Sequence, residues 1–204
     1  ALTQLEPGDP EHMRAQLGLY RARSYSDPVG AKKSFLTYAK ANGLAIIDMG
    51  DYSFGRPSRL SASVALGRGE FSNVEQASQM SGRIHSKGFQ ILIGYLMGKF
   101  GSEATMPVRA SIAFEQTYEE IDGDSASSTE LYAVLSSLSG VPIRQGLAVT
   151  GSVDQQGRVQ AIGGATRKIE GFYDVCDAKG LTGEQGVAIP ATNVRHLVLR
   201  QDVV

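Results

Sequence analysis

The chain has 204 residues, of which 42% are hydrophobic and 20% charged, and this composition is typical of a folded domain rather than a disordered segment. Its 20 Lys and Arg residues nearly balance its 21 Asp and Glu residues, so the charge gives no strong signal for a nucleic-acid partner. The single cysteine, Cys176, excludes an intrachain disulfide, and the longest apolar run is far shorter than the ~20 residues that span a bilayer. We therefore expect a cytoplasmic protein with no membrane partner.

Composition divides the chain into three parts. Residues 1–13 contain two prolines and end in His-Met, which indicates an expression scar or a flexible native terminus. Residues 14–42 carry six basic side chains against one acidic one, with aromatic residues between them, which predicts a basic N-terminal segment or linker. Residues 43–204 form the predicted domain, whose C-terminal end we expect to be truncated at Val204.

Within the predicted domain, strands and helices follow one another in a mixed order. Apolar runs and period-two alternation predict strands at 44–49, 60–66, 108–114 and 187–189. Apolar residues at helical spacing predict helices at 81–100, 127–139 and 165–179. A hairpin is predicted from 146–151 to 158–162, and a short final element at 190–199. Because helices and strands do not alternate strictly, the predicted class is α+β or mixed α/β.

The helix predicted at 127–139 has the clearest boundaries. Ser127 and Glu130 have the spacing of a capping box, and Gly140 is expected to end the helix. Ser125 stands just before this helix and after a glycine turn. A helix start offers unpaired N–H groups and a positive dipole, which could stabilise an oxyanion beside a nucleophilic serine. The alternative is an ordinary loop before a capped helix.

Lys168 is predicted in the first turn of the following helix, beside Ile169 and Phe172. Partial desolvation there would lower its pKa toward that of a general base, whereas the alternative is a surface lysine that lies over its own helix. The sequence contains no P-loop, no H-E-x-x-H and no G-x-S-x-G motif. Its acidic residues give no convincing ligand set for a metal-dependent hydrolase, and Cys176, on an apolar stripe, is predicted in the core.

Three strings of the chain resemble the proteolytic domain of Lon proteases. They are QTYEEIDGDSAS at 116–127, AVTGS at 148–152 and IGGATRKIE at 162–170. The 43 positions that separate Ser125 from Lys168 also match the pattern of the family. The form DGDSAS is similar to the B-type, archaeal-like branch that is also found in bacteria, and the resemblance covers most of residues 43–204.

The resemblance implies the α+β fold of the ribosomal-protein-S5-domain-2-like type and a serine endopeptidase with a Ser-Lys dyad. Ser125 would be the nucleophile, Lys168 would be the general base and Thr150 would orient the lysine. Asp124 and Ala126 flank the serine as supporting positions. Asp124 is interpreted as regulatory, because a carboxylate close to Ser125 or Lys168 would keep the lysine protonated.

The resemblance further implies unfolded polypeptide as substrate and a homo-oligomer, a hexameric ring in the full-length form. It implies no cofactor and no metal for this chain, since ATP and Mg²⁺ would serve only an ATP-driven unfoldase module that these residues do not include. The alternative hypothesis is a non-catalytic domain of the same fold that acts as an assembly or nucleic-acid-binding module. Relatives of that kind lack the dyad, so the presence of Ser125 and Lys168 favours the enzyme.

Overall fold

The computed structural model describes residues 36–37, 39–101 and 107–204. The predicted scar or terminus at 1–13 and most of the predicted basic segment at 14–42 lie outside the described residues. The described part contains ten strands: β1 Leu36–Thr37, β2 Lys40–Asp48, β3 Ser53–Leu66, β4 Glu70–Asn73, β5 Val108–Phe114, β6 Ile143–Arg144, β7 Leu147–Val149, β8 Ser152–Val153, β9 Val159–Gln160 and β10 Gly186–Ala188. It contains five helices: α1 Val74–Ala77, α2 Arg83–Phe100, α3 Ser127–Ser139, α4 Ala165–Lys179 and α5 Ala191–Val194.

Six of these strands form a central sheet in the order β10-β7-β2-β3-β5-β4. β3 is antiparallel to both β2 and β5, whereas β7 is parallel to β2 and to β10, and β4 is parallel to β5. The short pairs β1-β6 and β8-β9 lie outside this sheet. The mixture of helices with a largely antiparallel centre confirms the predicted α+β class.

The β2-β3 hairpin is longer than the sequence predicted at both of its strands. β2 begins at Lys40, so the last three residues of the predicted basic segment 14–42 belong to the central sheet. β3 begins at Ser53, well before the predicted start at residue 60. Pro57 lies in the first half of β3, where β2 is a neighbour and β5 is not, and proline is tolerated where a strand has only one neighbour.

Helices cover both faces of the sheet, and each face has its own core cluster. One strand contributes to both clusters because its alternate residues point to opposite faces. Ala41 of β2 belongs to the larger core cluster, together with Leu60 and Ile112 of the sheet. Leu92 and Leu96 of α2 and Val134 of α3 belong to the same cluster. Leu44, of opposite parity in β2, joins a smaller cluster with Ala148 of β7 and Phe172 of α4. The predicted helix at 81–100 is present, but its buried face is centred on Phe89 and Leu92, and Ile84 is 54% exposed.

The predicted capping box at the start of α3 is wrong. Ala126 takes the N-cap position and no side chain caps the helix. Ser127 Oγ donates to Asp124 O at 2.8 Å and accepts from Val153 N at 3.0 Å, and Glu130 is fully buried. Because this helix start lies inside the molecule, its polar side chains bond to neighbouring segments rather than to the N–H groups of their own first turn.

The predicted hairpin at 146–162 is divided between two sheets. β7 enters the central sheet between β2 and β10, and only β8 pairs with β9, around a turn in which Gly157 N donates to Asp154 O at 2.9 Å. The helices α2, α3 and α4 correspond to the predicted ones within two residues at each end. Within the described ranges, no helix is both long and apolar enough to cross a membrane.

Candidate active site

The side chains of Ser125 and Lys168 meet although 43 positions separate them in the sequence. Lys168 Nζ lies 2.6 Å from Ser125 Oγ and donates a second hydrogen bond to Thr150 Oγ1 at 3.1 Å. The Thr150 hydroxyl in turn donates to the Ser125 carbonyl oxygen at 3.2 Å. Since the only proton of this hydroxyl is used there, Thr150 presents a lone pair to the amine. A neutral amine held by Thr150 can therefore direct its own lone pair at Ser125 Oγ.

Ser125 is fixed by a tight turn before α3 and by the chain segment after β7. Gly123 adopts a φ of +89°, a left-handed conformation that favours glycine, and it reverses the chain just ahead of the serine. The Ser125 carbonyl oxygen accepts from Gly151 N at 2.8 Å as well as from Thr150. These two bonds hold the backbone of Ser125 against the segment that also supplies Thr150.

Lys168 is fixed because α4 lies directly on the backbone of β3. A Cβ on Gly55 of β3 would overlap Arg167 O and the Lys168 Cα, and a Cβ on Gly171 of α4 would overlap Gly55 O. Two glycines therefore allow a strand and a helix to touch through their main chains. This contact sets the height of Lys168 above the sheet, and a backbone contact of this kind leaves little freedom for the first turn of α4.

Burial gives Lys168 the electrostatic character of a base. The side chain is 3% exposed, and this desolvation lowers its pKa from 10.5 to about 8 against the opposing charge of Asp124. A lysine in water is almost entirely protonated at neutral pH. The buried amine instead has a substantial neutral population near pH 8, which is the form that can accept a proton from Ser125.

The structure places Asp124 beside the pair but bonded elsewhere. Its carboxylate Oδ2 accepts from Ser152 Oγ at 2.8 Å. Ala126, the other predicted supporting residue, is 8% exposed, takes the N-cap position of α3 and lines the cleft described below. The backbone N–H groups of the next two residues already donate hydrogen bonds within the protein, Ser127 N to Asp124 O and Ser128 N to Gly151 O. Any oxyanion donor at this helix start is therefore expected at Ser125 or Ala126.

The pair opens into a cleft of about 470 Å³. Apolar side chains from β2, β5 and two loops form part of its wall: Leu44, Ile46, Phe114, Ile121 and Ile162. Charged side chains lie on the remainder: Arg56, Arg167, Glu119, Glu120 and Asp122. A cleft with this mixture can hold an extended polypeptide segment, whose side chains and main chain need both kinds of contact.

Sequence reasoning missed a buried polar cluster behind the start of α3, formed by Asn73, Glu75, His85 and Glu130. His85 Nε2 lies 3.3 Å from Glu130 Oε1, to which Asn73 Nδ2 also donates at 3.1 Å. Glu75 Oε1 accepts from Phe114 N at 2.9 Å. Burial raises the pKa of Glu75. Burial opposes the charge on His85, but the Glu130 carboxylate outweighs it and the pKa of His85 is raised.

Neither Cys176 nor any set of metal-ligating side chains within the described ranges gives a second candidate site. The Cys176 thiol packs against the smaller core cluster, and burial raises its pKa to about 11, which keeps it protonated at neutral pH. No group of three or more His, Cys, Asp or Glu side chains in the described part of the chain is arranged to hold a metal ion.

Comparison with known proteins identifies the family of this site. Residues 115–198, which contain Ser125, Thr150 and Lys168, match the model of the Lon protease (S16) C-terminal proteolytic domain. These residues belong to the Lon proteolytic-domain family. This assignment supports a protease function for these residues.

Relatives of this Lon domain occur in bacteria and archaea. A Lon protease homologue of Escherichia coli is 48% identical over 80% of this chain, and one of Haemophilus influenzae is 40% identical over 93%. An archaeal Lon protease of Thermococcus kodakarensis is 43% identical over 45% of the chain, which agrees with the B-type branch. The chain spans only 28% and 32% of the two bacterial relatives and 13% of the archaeal one.

Proposed function

We propose that this domain is a serine endopeptidase in which Ser125 Oγ is the nucleophile and Lys168 Nζ is the general base. The observation that carries the proposal is the 2.6 Å contact between the serine hydroxyl and a buried amine whose pKa is lowered to about 8. A nucleophile within hydrogen-bond reach of a base, which a third group orients, is the common arrangement of covalent catalysis. Thr150 is that third group.

The reaction follows from the proton that Lys168 can carry. As Ser125 Oγ forms a bond to the peptide carbonyl carbon, its proton passes to the neutral amine of Lys168. The resulting ammonium then gives this proton to the leaving amine when the C–N bond breaks, which leaves an acyl-serine. Water attacks the acyl-serine, Lys168 takes a proton from it, and the proton returns to Ser125 Oγ as the acid product leaves.

The charge that develops on the carbonyl oxygen requires a donor at the start of α3. The positive end of the helix dipole lies there, and the N–H groups of Ser125 and Ala126 are the candidates that remain once those of Ser127 and Ser128 are engaged. We propose that an oxyanion is held at this point, within the same turn that carries the nucleophile.

The remaining parts of the proposal go beyond the residues of this chain. We propose that the domain, with the S5-domain-2-like fold of its family, cleaves unfolded polypeptide in the cytoplasm as part of a hexameric ring. An ATP-driven unfoldase module would deliver the substrate, and ATP with Mg²⁺ would serve that module rather than Ser125 or Lys168. The support is the family assignment and the small share of the relatives' length that this chain spans.

Replacement of the nucleophile tests the proposal. Ser125→Ala should abolish cleavage of a short unstructured peptide and should still fold, although the unfolding free energy should fall by about 1–3 kcal/mol because the buried Lys168 amine loses one of its two hydrogen-bond partners. Ser78→Ala, at an exposed serine, is the matched control and should retain full activity. A fluorophosphonate probe should label the wild type and the control but not Ser125→Ala. Undiminished cleavage by folded Ser125→Ala would refute the assignment, and absence of labelling in the wild type would favour the non-catalytic alternative.

A further inference from the structure

Ser152 fixes the position of a carboxylate beside the proposed base. It begins β8, is 5% exposed, and donates from Oγ to Asp124 Oδ2 at 2.8 Å. Asp124 immediately precedes Ser125, and 28 positions of sequence separate it from Ser152. The bond therefore joins the turn that carries the nucleophile to a second segment of the fold through side chains alone.

The rest of Asp124 is also held in place. Its carbonyl oxygen accepts from both the N–H and the hydroxyl of Ser127. Gly88 of α2 lies against its side chain, since a Cβ on Gly88 would come within 2.8 Å of the Asp124 Cβ. With the backbone and Cβ constrained, rotation of the side chain is the movement left to the carboxylate, and Ser152 is the partner that opposes this rotation.

The direction in which this carboxylate points matters because its charge acts on Lys168. Burial lowers the pKa of Lys168, and the charge of Asp124 raises it. The other charged residues that line the cleft with the lysine are Arg56 of β3, Arg167 of α4, and Glu119, Glu120 and Asp122 of the loop before α3. Asp124 is thus the neighbour best placed to keep Lys168 in its inactive ammonium form.

We propose that Ser152 is a positioning residue that keeps the Asp124 carboxylate from pairing with the Lys168 amine. This inference rests on the proposed role of Lys168 as the base. Without the Ser152 hydroxyl, the carboxylate loses its donor, and the ammonium of Lys168 becomes the partner available in the same site. An ion pair between Asp124 and Lys168 would keep the lysine in its ammonium form, which cannot accept a proton from Ser125. Ser152 therefore sets the pH range in which Ser125 and Lys168 can react.

The first test is the pH dependence of Ser152→Ala. In the wild type, kcat/KM for a short fluorogenic peptide should rise with pH as Lys168 loses its proton. In Ser152→Ala the rising limb should move to higher pH by roughly 1 unit or more, as expected for a newly contacting opposite charge. Activity at neutral pH should fall about tenfold and recover at alkaline pH. Ser136→Ala removes a buried serine hydroxyl that donates to Val141 O, away from the cleft, and should leave the limb unchanged.

The second test removes the carboxylate. In an Asp124→Asn background the substitution Ser152→Ala should no longer shift the rising limb of the kcat/KM–pH profile, because no carboxylate charge remains to approach Lys168. The same shift in both backgrounds would overturn the proposal, and so would a loss in Ser152→Ala that is equal at every pH, since a purely structural role predicts that result.

A measurement without catalysis separates this proposal from the proposed function. The ¹³Cε chemical shift of Lys168 reports its protonation directly in an NMR titration. The midpoint should be higher in Ser152→Ala than in the wild type, even in a Ser125→Ala background in which no cleavage occurs. An unchanged midpoint overturns the role of Ser152, whereas retained cleavage by Ser125→Ala overturns the nucleophile and leaves the titration valid.

Discussion

The proposed role of Lys168 as a base depends on the burial of its amine, and the same burial would be a cost without Ser125 and Thr150 as partners. Arginine could keep the positive charge and reach the same oxygens, but a guanidinium does not give up its proton in proteins. The two side chains therefore differ in the one property that the proposed reaction needs.

At the residue scale we predict that Lys168→Arg is inactive from pH 6 to 10. In the wild type, kcat/KM should rise with pH through an apparent pKa of about 8, because the neutral amine is the active form. At pH 7 only about a tenth of the enzyme is then in that form. Lys99→Arg, at an exposed lysine near the end of α2, is the control and should keep the wild-type profile. Turnover by Lys168→Arg with an unchanged profile would place the base elsewhere.

The residues of the site differ in how far the sequence could predict them. Ser125, Thr150 and Lys168 lie in strings that resemble a family, and the structure brings these three side chains together. Ser152 lies in one of those strings, yet its contact with Asp124 is not visible in the sequence, because it depends on how β8 lies against the turn before α3. Asp124 was expected near Ser125 or Lys168, and its hydrogen bond to Ser152 changes how its role is interpreted.

At the scale of the elements, α4 and β3 act as one unit because their backbones touch at Gly55 and Gly171. Any side chain at this point must push the helix away from the strand. Lys168 stands in the first turn of the helix, so a displacement of α4 is transferred directly to the distance between Nζ and Ser125 Oγ.

We predict that Gly55→Ala lowers both stability and activity. The added methyl meets main-chain atoms, which cannot rotate away, so the unfolding free energy should fall by about 1–3 kcal/mol. A shift of ~1 Å in Lys168 should lower kcat/KM about 100-fold in the protein that remains folded. Gly98→Ala in α2 meets open space and should be neutral or stabilising by about 0.5–1 kcal/mol in a urea titration. Full activity in Gly55→Ala would show that the close contact does not position the lysine.

Periodicity predicted the three long helices, and it failed where packing overrides local pattern. The first half of β3 was not predicted because Gly55 and Pro57 are typical of turns, whereas here one accommodates α4 and the other has a single strand neighbour. Periodicity of apolar residues does not reveal the whole buried face of α2, because that face includes the polar His85, which packs in the interior beside Glu130. The residues that stabilise a strand with glycine and proline, or a buried histidine, lie far away in the sequence, so the local pattern cannot reveal them.

At the scale of the whole molecule, the buried cluster of Asn73, Glu75, His85 and Glu130 joins α1, α2 and α3 behind the turn that carries Ser125. Asp122, on that turn, accepts from Ile84 N and His85 N at the start of α2. The proton on His85 is therefore part of how the helices are held. Since the pKa of His85 is raised in the folded protein, folding favours its charged form.

We predict that the free energy of unfolding decreases as the pH rises from about 6.5 through the folded-state pKa of His85. Below that window His85 is protonated in both states and its contribution is complete. Above 6.5 the unfolded chain releases its proton first, so the contribution is lost. In Glu130→Gln the decrease should be much smaller, whereas Glu70→Gln, at an exposed residue of β4, should follow the wild type in urea titrations at pH 6, 7 and 8. A parallel decrease in Glu130→Gln would exclude the pair as its origin.

The contact between Ser125, Thr150 and Lys168 also has a consequence for the protein while it is being made. The three residues come from the turn before α3, the segment after β7 and the first turn of α4, so their meeting requires long-range contacts that form late in folding. In an incomplete chain the lysine is hydrated and keeps its proton, and the serine is an ordinary hydroxyl. If the proposed function holds, a nascent chain therefore carries no competent protease, and the domain becomes able to cleave polypeptide only after its own chain has folded and is no longer a substrate.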